Sequence, residues 1–323
     1  MGTLIGIGNA LVDALYKVDS DQIIEDLGLQ KGGMQLIDNE RYAEICERVK
    51  AIPCELRTGG SAGNATLCFA KLEKNAHFVG KLGRDCNSEL FLSERERQGV
   101  TSISIYDELP TGVAMTFITP DGQRTFGTYL GAAARMTAED LRPEWFVGHE
   151  FFFIEGYLVQ NHALIEAAVD MAHAAGVKVC LDLASYNIIM EDHAFFEHLL
   201  TKTDIVFANE EESLAMTGLE PEAALDALAE VCEIAVVKIG ARGAMARRSN
   251  ERASVPAVVV PEVVDTTAAG DFFAGGFLFA LADGCSLEAA LRQGAHCSSE
   301  VIQVIGTKLD EAAWERLRTG VNG

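Results

Sequence analysis

Short runs of β-branched and aromatic residues alternate along this chain with segments whose apolar residues recur at helical spacing, and no other feature constrains the fold as strongly. The alternation predicts strands over 3–8, 76–81, 150–155, 177–183, 205–208 and 234–239, with helices over 62–72, 88–98, 162–175, 210–217 and 223–232. Strand, helix and strand in succession build a parallel sheet covered by helices, so the expected fold class is α/β with a doubly wound, mainly parallel sheet. Ligands of such sheets bind beyond the carboxyl ends of the strands.

Two stretches, 14–38 and 102–130, break the alternation. In the second, 111–119 and 124–129 flank Pro120-Asp121-Gly122-Gln123, a strong turn signal between strands. Together they predict a small β lid inserted in a single catalytic unit spanning 1–323. A chain of 323 residues also buries a sizeable core. Its 48 acidic and 26 basic residues leave a net charge of -22, which argues against a sequence-independent grip on nucleic acid or on an anionic membrane. A small molecule held by local donors is the expected partner. The eight cysteines include no C-x-x-C pair, so neither a zinc site nor a disulfide framework is expected, and a reducing cytoplasm fits. No stretch reaches the length needed to cross a bilayer, and the chain enters an apolar strand with no basic leader.

Val258, Val259, Val260, Val263 and Val264 favour strand, and 272–282 carries apolar residues at helical spacing. Ala268, Ala269, Gly270 and Asp271 therefore fall at a helix N-terminus, where free amides and the positive end of the helix dipole converge. Asp271 at that point is placed to take a proton from a hydroxyl beside a bound phosphate, or to do no more than cap the helix.

Four other places carry candidate chemistry. Asp13, at the end of Gly6-Ile7-Gly8-Asn9-Ala10-Leu11-Val12-Asp13, suits either a turn or the two hydroxyls of a sugar diol. Gly6-x-Gly8 is not a dinucleotide fingerprint, because Leu11 stands where the third glycine belongs. Gly59-Gly60-Ser61-Ala62-Gly63-Asn64 opens a helix and lets a ligand approach the backbone, with Asn64 able to donate to hydroxyls and accept from them. Asn209 and Glu212 have the spacing of a capping box, and equally that of an amide and a carboxylate organising a magnesium–nucleotide complex. Val237-Lys238-Ile239-Gly240-Ala241-Arg242-Gly243 reads as a strand and a glycine turn suited to backbone contact with a polyphosphate, although no G-x-x-x-x-G-K-[ST] loop occurs.

Taken together and in this order, Gly59-Gly60-x-x-x-Asn64, Asn209-x-x-Glu212, Gly240-x-x-Gly243 and Asp265-Thr266-Thr267-Ala268-Ala269-Gly270-Asp271 resemble the ribokinase family of carbohydrate and nucleoside kinases, over essentially the whole chain. Gly8-Asn9-Ala10-Leu11-Val12-Asp13, Leu27-Gly28-Leu29-Gln30-Lys31-Gly32-Gly33-Met34, Thr111-Gly112 and Asp121-Gly122-Gln123-Arg124 look most like its adenosine kinase branch.

The resemblance implies a ribokinase-like fold and an ATP- and magnesium-dependent kinase, with the 5′-hydroxyl of adenosine as first choice of acceptor. A sugar kinase and a non-catalytic binder are the alternatives. It implies Asp271 as general base, the amides from Ala268 through Ala269 and Gly270 to Asp271 as the anion hole, and Arg124 as a lid arginine that approaches the transferred phosphate. Asp13, Gly59, Gly60 and Asn64 would hold sugar hydroxyls, with Asn9, Met34 and Leu36 nearby. Asn209 and Glu212 would act through water on magnesium, while Lys238, Gly240 and Gly243 line the nucleotide. Asp265 and Thr267 match positions that hold potassium in relatives. The resemblance is compatible with a monomer and with a homodimer formed through the lid. One departure stands out, since the family usually has glycine where this chain has Ala268.

Overall fold

The computed structural model describes residues 2–319, and residues 1 and 320–323 of the expected 1–323 unit lie outside them. In chain order the strands are β1 (Thr3–Ile7), β2 (Leu11–Lys17), β3 (Met34–Leu36), β4 (Cys54–Thr58), β5 (Asn75–Leu82), β6 (Val100–Tyr106) and β7 (Gly112–Ile118). They continue as β8 (Arg124–Tyr129), β9 (Phe151–Glu155), β10 (Lys178–Asp182), β11 (Ile205–Asn209), β12 (Ile234–Lys238), β13 (Ala244–Arg248) and β14 (Glu251–Val255). The helices are α1 (Gln22–Asp26), α2 (Asn39–Val49), α3 (Ser61–Lys71), α4 (Cys86–Arg97), α5 (His162–Ala174) and α6 (Tyr186–Glu191). After them come α7 (His193–Leu200), α8 (Glu210–Thr217), α9 (Pro221–Ala229), α10 (Ala269–Ala282), α11 (Leu287–Val301) and α12 (Glu311–Thr319).

The large sheet runs β14-β13-β12-β11-β10-β9-β1-β5-β6, parallel from β6 to β12 and closed at one edge by the antiparallel pair β13 and β14. Its central strands read as continuous apolar runs because both faces are covered, and every residue of β9 is buried. One face packs Phe69, Phe91, Phe272, Phe277 and Trp314 from α3, α4, α10 and α12. The other packs Leu164, Ile189, Phe196, Met216 and Leu225 from α5, α6, α7, α8 and α9. From β1 the chain moves outward to β5 and β6 on one side, then returns to β9 on the other. The sheet therefore changes winding direction between β1 and β9, and a crevice opens beyond their carboxyl ends.

A second sheet, ordered β3-β8-β7-β2-β4, stands over those ends as the lid. One of its faces packs Ala14, Val113, Met115 and Phe117 against Ile24, Leu27, Ile45 and Val49 of α1, α2 and the turn between them, giving the lid an apolar core of its own. Register assigns the opposite face. Asp13, Ala114, Thr128 and Leu36 form one row across the strands, and Leu15, Thr116, Phe126 and Met34 form the next. Arg124 and Arg57 lie on this face and both bind the main domain, Arg124 to Asp265 and Arg57 to the Ile305 carbonyl, so it faces the crevice.

The lid departs from the expected 14–38 and 102–130 in three respects. Residues 102–106 belong to β6, which pairs in parallel with β5 in the large sheet. The lid starts at Leu11 and also takes in β4, a short edge strand with three exposed residues, Cys54, Glu55 and Leu56, that carries little apolar pattern. Helices α1 and α2 cover it, so it is not a bare hairpin. The valines at 258–264 form no strand, and Val259 is 94% exposed. Their propensity goes unused because β14 is already the sheet edge and Pro256 and Pro261 lack the N–H a ladder needs.

Phe117 is fully buried in the lid core and stacks on Tyr16 at 5.2 Å. Phe117→Ala is expected to lower the unfolding free energy of the structure that contains it by about 3–5 kcal/mol, read by urea denaturation, with the lid becoming the earliest site of proteolysis.

Candidate active site

The carboxyl ends of four adjacent parallel strands carry polar side chains, Glu155 on β9, Asp182 on β10, Asn209 on β11 and Lys238 on β12. Glu155 sits at the change in winding direction. Its carboxylate accepts from the Asn9 backbone at 2.8 Å, the Asn9 side chain at 2.7 Å and the Ala62 amide at 2.9 Å. It thereby ties the crossover into the lid to the start of α3. Burial pushes Glu155 up to about 7 despite those donors. The Asn9 amide group is thus committed to Glu155, and Asn9 supports the crevice from beneath.

Between β4 and α3 the chain needs both glycines. Gly60 has φ 91 and lies against the Asn9 carbonyl, and a side chain on Gly59 would collide with the Asp13 carboxylate. Arg95 of α4, which has no exposed surface, holds this turn by donating to the Gly63 carbonyl at 2.6 Å and the Gly59 carbonyl at 2.9 Å. Its guanidinium also lies over the rings of Phe91 and Phe78, 5.0 and 5.7 Å from their centroids. Burial draws Arg95 down to about 10, opposed by Asp13 and Asp271, so it stays charged.

Asp271 lies in the first turn of α10 and meets the first turn of α3. Ser61 donates to one carboxylate oxygen at 2.6 Å and Asn64 donates to the other at 2.9 Å. Burial raises Asp271 to about 6, with both donors opposing. Asp13 is raised to about 7, first by burial and then by Asp265 and Asp271, against Arg95. The Asn64 side-chain oxygen Oδ1 is buried and has no partner among the described residues. Two acids and one amide, its oxygen orphaned, therefore share the floor of the crevice.

Ala268 caps α10 with φ 64 and ψ 4, the left-handed conformation that glycine adopts freely and alanine adopts at a cost of roughly 1–2 kcal/mol. That turn leads Phe272 to bond the Ala268 carbonyl at 2.9 Å and the Ala269 amide to bond the Thr266 carbonyl at 3.2 Å. The expected anion hole loses one member on this account, because the Ala269 amide is spent inside the turn. The amides of Gly270 and Asp271 are among the donors a helix start leaves over. Lys238 stands beside them, since a Cβ on Gly270 would lie 3.0 Å from its Nζ. Its ammonium donates to Asp182 at 3.0 Å.

Asn209 and Glu212 form the complete capping box of α8, each side chain binding the other's backbone amide at 2.7 to 2.8 Å. Glu212 is buried and raised to about 7, with Lys238 opposing. Gly240 and Gly243 bracket the turn after β12, both at positive φ. Asp265 accepts from the Thr267 amide at 2.9 Å, the Gly306 amide at 2.7 Å and the Arg124 guanidinium at 2.7 Å. The lid arginine thus holds the carboxylate expected to bind potassium, and no group of three His, Cys, Asp or Glu placed to hold a metal ion occurs among the described residues. Met34 and Leu36 are 49% and 53% exposed on the crevice face of the lid, in register with Phe126 and Thr128.

Sequence reasoning missed Ser61, Arg95, Glu155 and Asp182. Ser61 lay inside a motif already singled out, whereas Glu155 and Asp182 were legible only as acids ending predicted strands, and Arg95 resembled any charge on a helix face.

A lidded crevice at the strand ends, with a helix N-terminus, an acid and two basic side chains converging on it, defines a phosphotransferase that works on a hydroxyl acceptor. The chain belongs to the pfkB family of carbohydrate kinases, whose sequence model matches residues 33–313. Its structure superposes on the adenosine kinase from Sinorhizobium meliloti with a TM-score of 0.89, at 34% identity and 99% coverage of both chains. A probable sugar kinase protein from Rhizobium etli CFN 42 also gives 0.89, at 32% identity and 99% coverage of both. A ribokinase of Arabidopsis thaliana is 28% identical over 286 residues, which span 84% of this chain and 73% of that protein.

Two outcomes follow from the site's strain and charge. Ala268→Gly relieves the left-handed alanine, and its thermal midpoint is expected to rise by the equivalent of up to about 1 kcal/mol, the glycine's greater freedom when unfolded offsetting part of the gain. Asp13 has a folded pKa above its unfolded one, so its burial is tolerated at low pH and destabilises as pH rises through about 7. Melting curves of Asp13→Asn should therefore show a stability gain at about pH 8 that shrinks toward about pH 5.

Proposed function

We propose that this protein is an ATP-dependent nucleoside kinase that phosphorylates the 5′-hydroxyl of adenosine. The observation that carries this choice is the contrast across the crevice. Its floor presents Asp13, Asn64 and Asp271, suited to sugar hydroxyls, while the lid face above presents Met34, Leu36 and Phe126. Met34 and Leu36 exposed beside a half-buried Phe126, all over a polar floor, suit a flat base linked to a sugar. A free sugar would leave them facing water. The overall likeness to the Sinorhizobium meliloti adenosine kinase supports the same choice.

Asp271 takes the proton of the acceptor hydroxyl as that oxygen attacks the γ-phosphorus of ATP, and the bond from that phosphorus to the bridging oxygen breaks to release ADP. Ser61 and Asn64 aim its carboxylate. A second hydroxyl of the acceptor satisfies the orphaned Asn64 oxygen. The Gly270 and Asp271 amides, the Lys238 ammonium and the Arg124 guanidinium face the charge that develops on the phosphoryl oxygens. Gly240 and Gly243 let the nucleotide approach the turn after β12.

The Lys238 ammonium feels the charges of Asp182, Glu212 and Asp271. Magnesium would be held through water by the buried Glu212 carboxylate, where it would neutralise phosphate charge. A potassium role for Asp265 and Thr267 requires Arg124 first to leave Asp265. The lid's outer face is covered by α1 and α2, which favours a monomer over a dimer built on that face. Buried free thiols at Cys68, Cys180, Cys232 and Cys297 suit the cytoplasm.

An ATP-consumption screen over nucleosides and free sugars is expected to give its fastest turnover with adenosine, and rapid turnover of a sugar with none of adenosine would overturn the assignment. Asp271→Asn should lower kcat by roughly 10²–10⁴-fold while ATP still binds by calorimetry. Equal activity in that variant would remove Asp271 as the general base, and a wild type that binds ATP and turns over no acceptor would favour a binding protein. Because Asp271 must be ionised to accept the proton, kcat/KM should fall as pH drops below about 6 and level off above it.

A further inference from the structure

We propose that Asp182 is a positioning residue for phosphoryl transfer, which holds the Lys238 ammonium at the N-terminus of α10 where the transferred group must lie. The inference rests on the phosphotransferase reading of the site but not on the identity of the acceptor.

Asp182 ends β10 and Lys238 ends β12, so their 3.0 Å bond reaches across the end of β11. Both side chains are largely shielded, at 7% and 16% exposure. A shielded ion pair is a poor device for stability alone, since desolvating both charges costs as much as or more than their attraction returns. The position of this pair is also unfavourable for an isolated cation. Lys238 Nζ abuts Gly270, beside the positive end of the α10 dipole, so ammonium and dipole repel one another until an anion lies between them.

Asp182 is itself fixed from its other side. One carboxylate oxygen accepts from the Ala184 amide at 2.9 Å, and Ala184 has φ 63. A strained alanine persists only where the surroundings over-determine it. The second oxygen binds Lys238, leaving the carboxylate little freedom to turn. Burial alone would draw the proton off Lys238, but Asp182 and Glu212 hold its pKa above the ordinary lysine value, so it stays charged. A phosphoryl group arriving at the Gly270 and Asp271 amides therefore meets a cation already oriented, with no reorganisation to complete during the reaction.

The experiment begins with the fastest acceptor found for the wild type, so failure with adenosine removes the adenosine assignment without touching this one. Lys238→Met is expected to lower kcat by about 10²–10³-fold, the size of losing one charge-stabilising donor. It should also weaken calorimetric binding of a non-hydrolysable ATP analogue at least tenfold while leaving acceptor binding unchanged, a readout that needs no turnover. Asp182→Asn keeps an oxygen for Ala184 and removes the charge that orients Lys238. It should lower kcat about tenfold with the acceptor KM unchanged, and the double variant should be no slower than Lys238→Met alone. Lys238→Ala should regain activity with added methylammonium, and the regain should shrink when Asp182→Asn is also present. Wild-type kcat in Asp182→Asn, losses that multiply in the double variant, or amine rescue that ignores Asp182 would each overturn the proposal. Should Asp182→Asn melt near room temperature, Asp182→Glu tests the same point, since a carboxylate displaced by one methylene should lower kcat while the melting temperature stays near that of the wild type.

Discussion

A guanidinium sealed from water underlies the whole site. Moving a cation into a protein interior costs several kcal/mol, and Arg95 recovers it from two backbone carbonyls, two aromatic faces and the nearby carboxylates. Its fork determines where α3 begins, and from that start Ser61 and Asn64 reach Asp271. It also lets Asp13 and Asp271 stand near one another, both raised by burial, Asp13 further by the charges of Asp265 and Asp271, yet close enough to neutral pH to ionise. Without that buried cation the glycine turn, the two acids and the helix start would have no common reference.

The chain carries a large excess of acid, and the crevice shows how such a chain prepares for an anion. Positive potential is assembled locally from a helix terminus and two basic side chains, each resting on an aspartate, Lys238 on Asp182 and Arg124 on Asp265. Lys238 reaches that helix start from the large sheet, beside Gly270, and Arg124 reaches the turn before it from the lid. Asp265 also accepts from Gly306, next to the Ile305 carbonyl that Arg57 binds, so lid position and the geometry of the turn before α10 are joined through a few bonds.

Local pattern revealed the parts of the fold that local physics decides. The helix expected over 210–217 is α8, and the central strands begin and end within a residue or two of their apolar runs. The edge strand β4 was hidden because Cys-Glu-Leu-Arg-Thr buries almost nothing, and the valines at 258–264 misled because propensity without a pairing partner builds no strand. The same division holds in the site. Glycine motifs and the α10 start were legible because backbone geometry dictates residue type there, and the glycine-to-alanine departure at Ala268 proved to be a real left-handed residue. Glu155, Asp182 and Arg95 were not, since each acts on residues distant in sequence and leaves no periodic trace.

The lid keeps its apolar core on the side away from the crevice, between its sheet and its two helices. Nothing in that core involves Met34, Leu36 or Phe126, which point the other way. That exposed apolar surface is thus separate from the mass that keeps the lid folded, and separate again from Asp271 and the start of α10. Under the proposed function, mutation could redraw the inner face while fold and reaction stay constant, an arrangement that leaves acceptor choice open to evolutionary drift.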